Sequence, residues 1–197
     1  MNREKFMENI KSEKVKFIIS SLLMTAFAIF INCCGCVSAE KFHIPLYLDS
    51  LLTIGVVASC GLVPGFVCAL FSNLLLTYFD YTMLPFVSCH ILTAFFAWLT
   101  FNHFEKKDSR KLSLDAFLWA GFWSGLSNAV LGNIIADTLF FSNTETPRID
   151  ITVQGIYIAL DNLHLATYLA GTIENLTDKT ISAVLSFGLY NLYKKVI

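Results

Sequence analysis

The chain has 197 residues, of which 55% are hydrophobic and 15% are charged, and its formal net charge is −1. Soluble domains carry about 25% charged residues, so this composition excludes an ordinary water-soluble domain and an intrinsically disordered chain. The near-neutral charge argues against a nucleic-acid partner, which requires a basic face. We therefore expect a single integral domain over residues 1–197, embedded in a lipid bilayer.

Six apolar segments follow a charged leader at residues 1–15. A membrane-spanning helix needs about 20 apolar residues, and Pro64 between Gly61 and Gly65 divides one long apolar run into two helices. Residues 151–163 are expected to form a loop or partial helix, and the polar residues 142–150 a lid. The sequence predicts an all-α membrane bundle of six helices, with spans at about 16–38, 48–61, 64–79, 83–103, 114–141 and 165–194.

The first apolar segment has an alternative interpretation as a cleaved signal peptide. No clean small-x-small cleavage site follows it, and the run is long for a signal sequence. A lipoprotein signal ending at Cys33 would need a small residue where Asn32 stands. These observations favour a membrane span.

Lysine and arginine indicate the orientation of the spans, because they accumulate in short cytoplasmic loops. They are concentrated at the N-terminus, in residues 106–111 and at Lys194 and Lys195, whereas the opposite side carries mainly Lys41 and Arg148. With six spans, the three basic regions fall on one side. The sequence therefore predicts that both termini are cytoplasmic.

Polar residues inside the spans are expected in the outer half or near mid-depth, at a rise of about 1.5 Å per residue. Ionisable groups in a span are costly, so each is a candidate for a functional role. An outward-open cavity would account for their shared depth. The predicted substrate-binding residues of this cavity are Asp49, Asn73, His90, Glu174 and Asp178.

Further polar residues are expected around the predicted cavity: Thr53, Asn128, Asn133, Asp137 and Lys179. Structural roles remain open for several of them. Asn128 either bonds a neighbouring helix or contacts ligand, Asp137 could face lipid headgroups, and Lys179 could be a counter-ion for a carboxylate. His90 has packing as its alternative. Asp178 is the strongest candidate, because it lies far from either end of a long helix.

Motifs for catalysis and metal binding are weak or missing in the sequence. Cys33 and Cys36 have a C-x-x-C spacing, but no second cysteine pair accompanies them. No nucleophile-elbow, zinc-protease or Walker A pattern occurs, and the four histidines are scattered. We expect a protein that is not an enzyme, with no metal and no cofactor, whose energy comes from a partner or a gradient.

Two stretches of the sequence carry a family resemblance. The first is PLYLDSLLTIG at residues 45–55, which continues to GLVPG at 61–65 and SNL at 72–74, and the second is ENLTDKTIS at 174–182. They resemble the second, third and last spans of substrate-binding S components of energy-coupling factor transporters. The resemblance implies a high-affinity binder of a vitamin or similar micronutrient in the bacterial cytoplasmic membrane. It also implies a transmembrane coupling subunit and two ATPase subunits as partners.

The first span departs from the family's docking pattern, which is usually Ala-x-x-x-Ala. The nearest equivalents here involve Ser21, Thr25 and Ala28, which we expect to contact the coupling subunit. The alternative function is a membrane sensor or signalling input domain with the same fold. Co-purification distinguishes the two, because a transporter subunit should bring down ATPase subunits and a sensor should not.

Overall fold

The computed structural model describes residues 3–107, 112–142 and 147–196. Within these residues the protein is helical throughout, as the sequence predicts, and contains no strand. Seven α-helices and one 3₁₀-helix follow in this order: α1 (Arg3–Lys41), α2 (Thr53–Cys60), α3 (Leu62–Phe79), the 3₁₀-helix (Tyr81–Phe86), α4 (Val87–Lys107), α5 (Leu114–Leu139), α6 (Pro147–Leu160) and α7 (Leu163–Val196).

Three segments are long and apolar enough to cross a membrane, judged by length and composition: Ser12–Lys41, Leu62–Phe79 and Tyr81–Glu105. Many large apolar side chains on them point away from the bundle. On α1, for example, Leu22 and Leu23 are 63% and 67% exposed. An outer surface of this kind is compatible with a membrane protein, because water would penalise its exposure.

α1 and α2 run in opposite directions, and so do α4 and α5, as their contacts show. Met24 Sδ on α1 lies 3.7 Å from Cys60 Sγ at the end of α2, while Asn32 further along α1 bonds Thr53 at the start of α2. At the other side of the bundle, the Phe101 and Phe117 rings lie 4.8 Å apart and join the end of α4 to the start of α5. The starts of α2 and α4 lie at the same end of the bundle.

α5 and α7 pack closely because α5 has glycines at the interface, where any side chain would clash with the α7 backbone. A Cβ atom on Gly121 would lie 2.6 Å from the Lys179 carbonyl oxygen, and one on Gly125 would lie 3.0 Å from that of Asn175. Small residues at four-residue spacing permit such close backbone approach. The contact sets the middle of α7 against the bundle interior.

The predicted second span differs from the structure, where α2 has only eight residues. Eight residues rise about 12 Å, which is too short to cross a bilayer. The backbone before α2 is held by side chains instead of helical bonds: the Leu48 and Leu52 N–H groups donate to Asp178 Oδ1 and Asn32 Oδ1 at 2.8 Å and 2.9 Å. Leu48 also has φ 51°, in the left-handed region that interrupts a helix.

For the segment before the last helix, predicted as a loop or partial helix at residues 151–163, the structure has the helical alternative, because most of it belongs to α6. Ile149 and Val153 lie four residues apart on one face of α6 and are buried. Val153 packs with Ala166 and Ala170 of α7. Of the predicted lid at 142–150, residues 143–146 lie outside the described residues.

Candidate functional site

Four ionisable side chains from three parts of the fold meet inside the bundle, and we call them the charged cluster: Asp49, His90, Asp178 and Lys179. Asp49 lies in the turn before α2, His90 in the first turn of α4, and the other two near the middle of α7. All four are buried, with residue exposures between 0% and 7%. Fully buried ionisable groups are rare unless they are paired.

Lys179 is the centre of the charged cluster. Its Nζ atom lies 2.5 Å from Asp178 Oδ2, 2.6 Å from Ser50 Oγ and 3.3 Å from Asp49 Oδ1. The second oxygen of Asp49, Oδ2, lies 2.7 Å from His90 Nε2. One lysine therefore neutralises parts of two carboxylates, and Asp49 bridges this lysine to the histidine.

The charges of these groups do not balance when His90 is neutral. Asp49 and Asp178 contribute two negative charges and Lys179 one positive charge, which leaves one excess negative charge. Glu174, one helical turn before Asp178, is also buried. Desolvating such groups costs several kcal/mol per ion, about as much as their mutual attraction returns. The charged cluster therefore adds little net free energy to folding, and stability alone does not explain its presence.

The backbone before Asp49 has an unusual conformation, which places the Asp49 carboxylate in the charged cluster. Leu48, just before it, combines its left-handed conformation with an N–H bond to Asp178 Oδ1. A branched residue with positive φ is uncommon and stores about 1 kcal/mol or more. Strained backbone of this kind concentrates at functional sites.

A small cavity adjoins the charged cluster and has a volume of about 20 Å³. This is room for about one water molecule. Two of its lining side chains have buried polar atoms that find no hydrogen-bond partner among the described residues, namely Asn128 Oδ1 and both ring nitrogens of His90, although Nε2 lies close to Asp49. The lining residues are Tyr47, Asp49, Phe86, Cys89, His90, Asn128, Gly132, Asn175 and Lys179.

The structure thus brings together three of the five predicted substrate-binding residues, Asp49, His90 and Asp178, and adds Lys179 and Asn128 from the predicted surroundings. Asn128 bonds a neighbouring helix, which is one of the two roles left open for it. Its Nδ2 donates to Thr93 Oγ1 of α4 at 2.9 Å, while the residue also lines the cavity.

Several predicted residues lie outside the cavity lining, although one of them, Asp178, belongs to the charged cluster: Thr53, Asn73, Glu174 and Asp178. Asn73 Nδ2 donates to the Met83 carbonyl at 3.1 Å and so ties α3 to the 3₁₀-helix. Thr53 belongs to a second buried group, which we call the amide cluster: Asn32, Thr53 and Ser72. There Asn32 Nδ2 lies 3.0 Å from both hydroxyl oxygens, and its Oδ1 accepts from Leu52 N.

Asn133 and Asp137 bond residues at the start of α7. Asn133 Nδ2 donates to the Tyr168 carbonyl at 3.0 Å. Asp137 Oδ1 lies 2.6 Å from both Ser142 Oγ and His164 Nδ1, and the His164 side chain is largely exposed. These two residues fasten α5 to α7, and neither lines the cavity.

The three residues predicted to dock a coupling subunit are not on the surface. Ser21, Thr25 and Ala28 are 7%, 5% and 0% exposed. Ala28 packs with Val56 and Cys68 inside the bundle, and Thr25 Oγ1 bonds the Ser21 carbonyl. In this structure, the exposed face of α1 consists of large apolar residues, such as Leu22 and Phe30, instead of this small-residue stripe.

Several cavity residues were not predicted. Tyr47 lies two residues before Asp49 and Asn175 directly follows Glu174, so proximity to a predicted residue was an available signal. The same holds for Ser50, which follows Asp49 and bonds Lys179 without lining the cavity. Phe86 and Gly132 carry no such signal, because an apolar or absent side chain in an apolar segment looks like ordinary packing.

The other candidate sites in the fold have fewer polar and ionisable groups than the charged cluster. No group of three or more histidine, cysteine, aspartate or glutamate residues suited to a metal ion occurs in the part of the chain that the structure describes. A larger groove of about 540 Å³ lies on α4 and α5, lined mainly by apolar and aromatic residues such as Phe96, Trp119 and Trp123. It contains none of the predicted site residues.

No protein-family model matches the chain, and neither a curated protein nor a solved structure matches it.

Proposed function

We propose that this protein is the membrane-embedded substrate-binding subunit of an energy-coupling factor uptake transporter, which captures a vitamin or similar micronutrient at the outer face. The observation that carries the proposal is the charged cluster, because it is buried in an apolar bundle beside a cavity with unpartnered polar atoms. Ionisable groups placed in this way mark substrate pathways in membrane proteins. The proposal includes a multi-pass location in a bacterial cytoplasmic membrane.

The helix directions support the proposed topology with both termini in the cytoplasm. Lys194 and Lys195 lie in the last turn of α7, near the part of α1 where Ser20 Oγ lies 3.0 Å from Tyr193 OH. Lys41 lies in the last turn of α1, at the other end of that helix. α6 has 14 residues, a rise of about 21 Å, which falls short of a hydrocarbon core of about 30 Å. If α6 remains on the outer side, α1 and α7 begin and end on the same side.

Substrate capture requires the site to enlarge. Pockets for small molecules usually have volumes of about 300–1,000 Å³, whereas this cavity has about 20 Å³. Tyr47 and Phe86 are the lining residues most able to move, because they lie in the turn before α2 and in the 3₁₀-helix and not in a long α-helix. The proposal therefore predicts that these two segments move outward when substrate enters.

Partners would supply the energy for release, since the sequence contains no Walker A motif for ATP. The resemblance of residues 45–74 and 174–182 to S components implies a transmembrane coupling subunit and two ATPases. Because Ser21, Thr25 and Ala28 are buried, the exposed apolar face of α1 is the more suitable surface for that coupling subunit.

Affinity purification from native membranes in mild detergent tests the proposal. We expect the tagged full-length chain to recover two ATPase subunits and a polytopic partner, and an unrelated membrane protein with the same tag serves as the background control. Recovery of a kinase or another signalling protein without ATPases would contradict the transporter role and favour a sensor.

A further inference from the structure

The free polar atoms of the cavity are hydrogen-bond acceptors, and Asn128 is the first of them. Thr93 Oγ1 donates to the Cys89 carbonyl at 3.1 Å, so this oxygen can only accept from Asn128. The side-chain nitrogen of Asn128 must therefore face Thr93. Its buried oxygen, Oδ1, is left without a partner among the described residues.

His90 supplies the second acceptor by a similar argument. His90 Nε2 lies 2.7 Å from Asp49 Oδ2, although the contact lacks the alignment of a hydrogen bond. Two lone pairs at this distance would repel each other, so Nε2 is the nitrogen that carries the proton. In the neutral ring the other nitrogen, Nδ1, then has a lone pair. This atom is also buried, without a partner among the described residues.

Lys179 is the cation of the cavity wall, but its donors are already used. An ammonium group has three N–H donors, and Nζ has oxygen partners on Asp178, Ser50 and Asp49. The cavity therefore offers acceptors to a ligand, inside a cluster with one excess negative charge when His90 is neutral. A buried negative charge favours a positively charged partner.

The proposed enlargement involves Tyr47 and Phe86, so the part of the cavity beside Asn128 and His90 still restricts the size of the group that binds there. A volume of about 20 Å³ accepts a group the size of one water molecule. A primary ammonium group has about this size and carries three donors. A carboxylate has neither donors nor the right charge, and a trimethylated nitrogen is too large and has no N–H.

We infer that the site recognises a solute through a protonated primary amine, which enters the cavity while His90 is neutral and donates hydrogen bonds to Asn128 Oδ1 and His90 Nδ1. The remainder of the solute extends toward Tyr47 and Phe86, whose aromatic rings line the same cavity. The inference rests on the proposed function, because it specifies the substrate class of that same site.

Gly132 provides a way to block the cavity without disturbing the fold. A Cβ atom at this position would lie 3.8 Å from Cys89 Sγ and 3.9 Å from Asn175 Nδ2, which are ordinary contacts. Gly132→Ala should therefore fold normally while its methyl group fills most of the cavity. The matched control is Gly155→Ala on α6, where an added Cβ meets nothing within 4 Å.

The experiment measures the unfolding temperature of the detergent-purified full-length protein with three test compounds: benzylammonium, benzyltrimethylammonium and benzoate. Binding to the folded state raises this temperature with concentration. We expect a saturable increase with benzylammonium alone. Gly132→Ala should weaken this binding by at least about tenfold, and Gly155→Ala should leave it unchanged.

Three results would overturn the inference: no stabilisation by benzylammonium, equal or stronger stabilisation by either other compound, or unchanged binding of benzylammonium by Gly132→Ala. None of these affects the recovery of ATPase subunits, which tests the proposed function separately. Conversely, benzylammonium binding without ATPase partners would support this substrate class and contradict the transporter role.

Discussion

The two buried polar groups of this protein, the amide cluster and the charged cluster, differ in what they leave unpaired. The amide cluster is neutral, and the polar atoms of Asn32 are engaged by Thr53, Ser72 and the Leu52 backbone. The charged cluster is equally buried, but it has one excess negative charge when His90 is neutral, and it borders a cavity whose buried polar atoms lack partners among the described residues. Burial of polar residues in an apolar bundle therefore does not identify a binding site, whereas incomplete pairing does.

The largest expected effect comes from removing the centre of the charged cluster with Lys179→Met. Asp49 and Asp178 would then remain buried without their cation, which costs about 3–5 kcal/mol. Chemical unfolding in detergent measures this loss. The control is Lys41→Met, at an exposed position in the last turn of α1, which should leave stability nearly unchanged. Similar unfolding of the two variants would show that the pairing around Lys179 has little energetic importance.

A smaller effect is expected in the amide cluster from Asn32→Leu. The Leu52 N–H and two hydroxyl groups would lose their partner, at a cost of about 1–3 kcal/mol. Because this cluster does not line the cavity, solute binding should be unchanged once the lower stability is taken into account. Loss of binding in a folded Asn32→Leu protein would remove the distinction between the two clusters.

The smallest effect is a difference in reactivity between two buried cysteines that report on the two regions. Cys68 Sγ lies 3.6 Å from Asn32 Nδ2 in the amide cluster, and Cys89 lines the cavity of the charged cluster. If that cavity opens for substrate, Cys89 should react faster with a small methanethiosulfonate reagent by about tenfold, equivalent to about 1.4 kcal/mol. Single-cysteine variants with serine at the other positions allow the comparison. Equal rates, or a faster Cys68, would contradict opening at the charged cluster.

The sequence predicted the helical class and much of the charged cluster for one physical reason. Few side chains tolerate an apolar bundle, so scarce ionisable residues such as Asp49, His90 and Asp178 are conspicuous. Because buried charges require partners, these residues and Lys179 were good candidates to meet.

The sequence could not separate the amide cluster from the binding cavity, because depth along a helix does not determine which neighbour a side chain meets. Thr53 and Asn73 have suitable depth, yet they bond Asn32 and the Met83 carbonyl. The unusual backbone at Leu48 also depends on partners distant in the sequence, since its N–H bonds Asp178. Local propensity could not reveal that α2 begins only at Thr53.

Native mass spectrometry of the gently extracted protein tests the central claim, that the charged cluster binds a solute. Wild-type protein should carry a small molecule, and Asp178→Asn should weaken its retention by about tenfold or more, which corresponds to about 1.4 kcal/mol. Asp137→Asn makes the same chemical change outside the charged cluster, where Asp137 bonds Ser142 and His164, and should retain the molecule as wild type does. Equal retention by wild type and Asp178→Asn, or no bound molecule in any of the three proteins, would contradict the account.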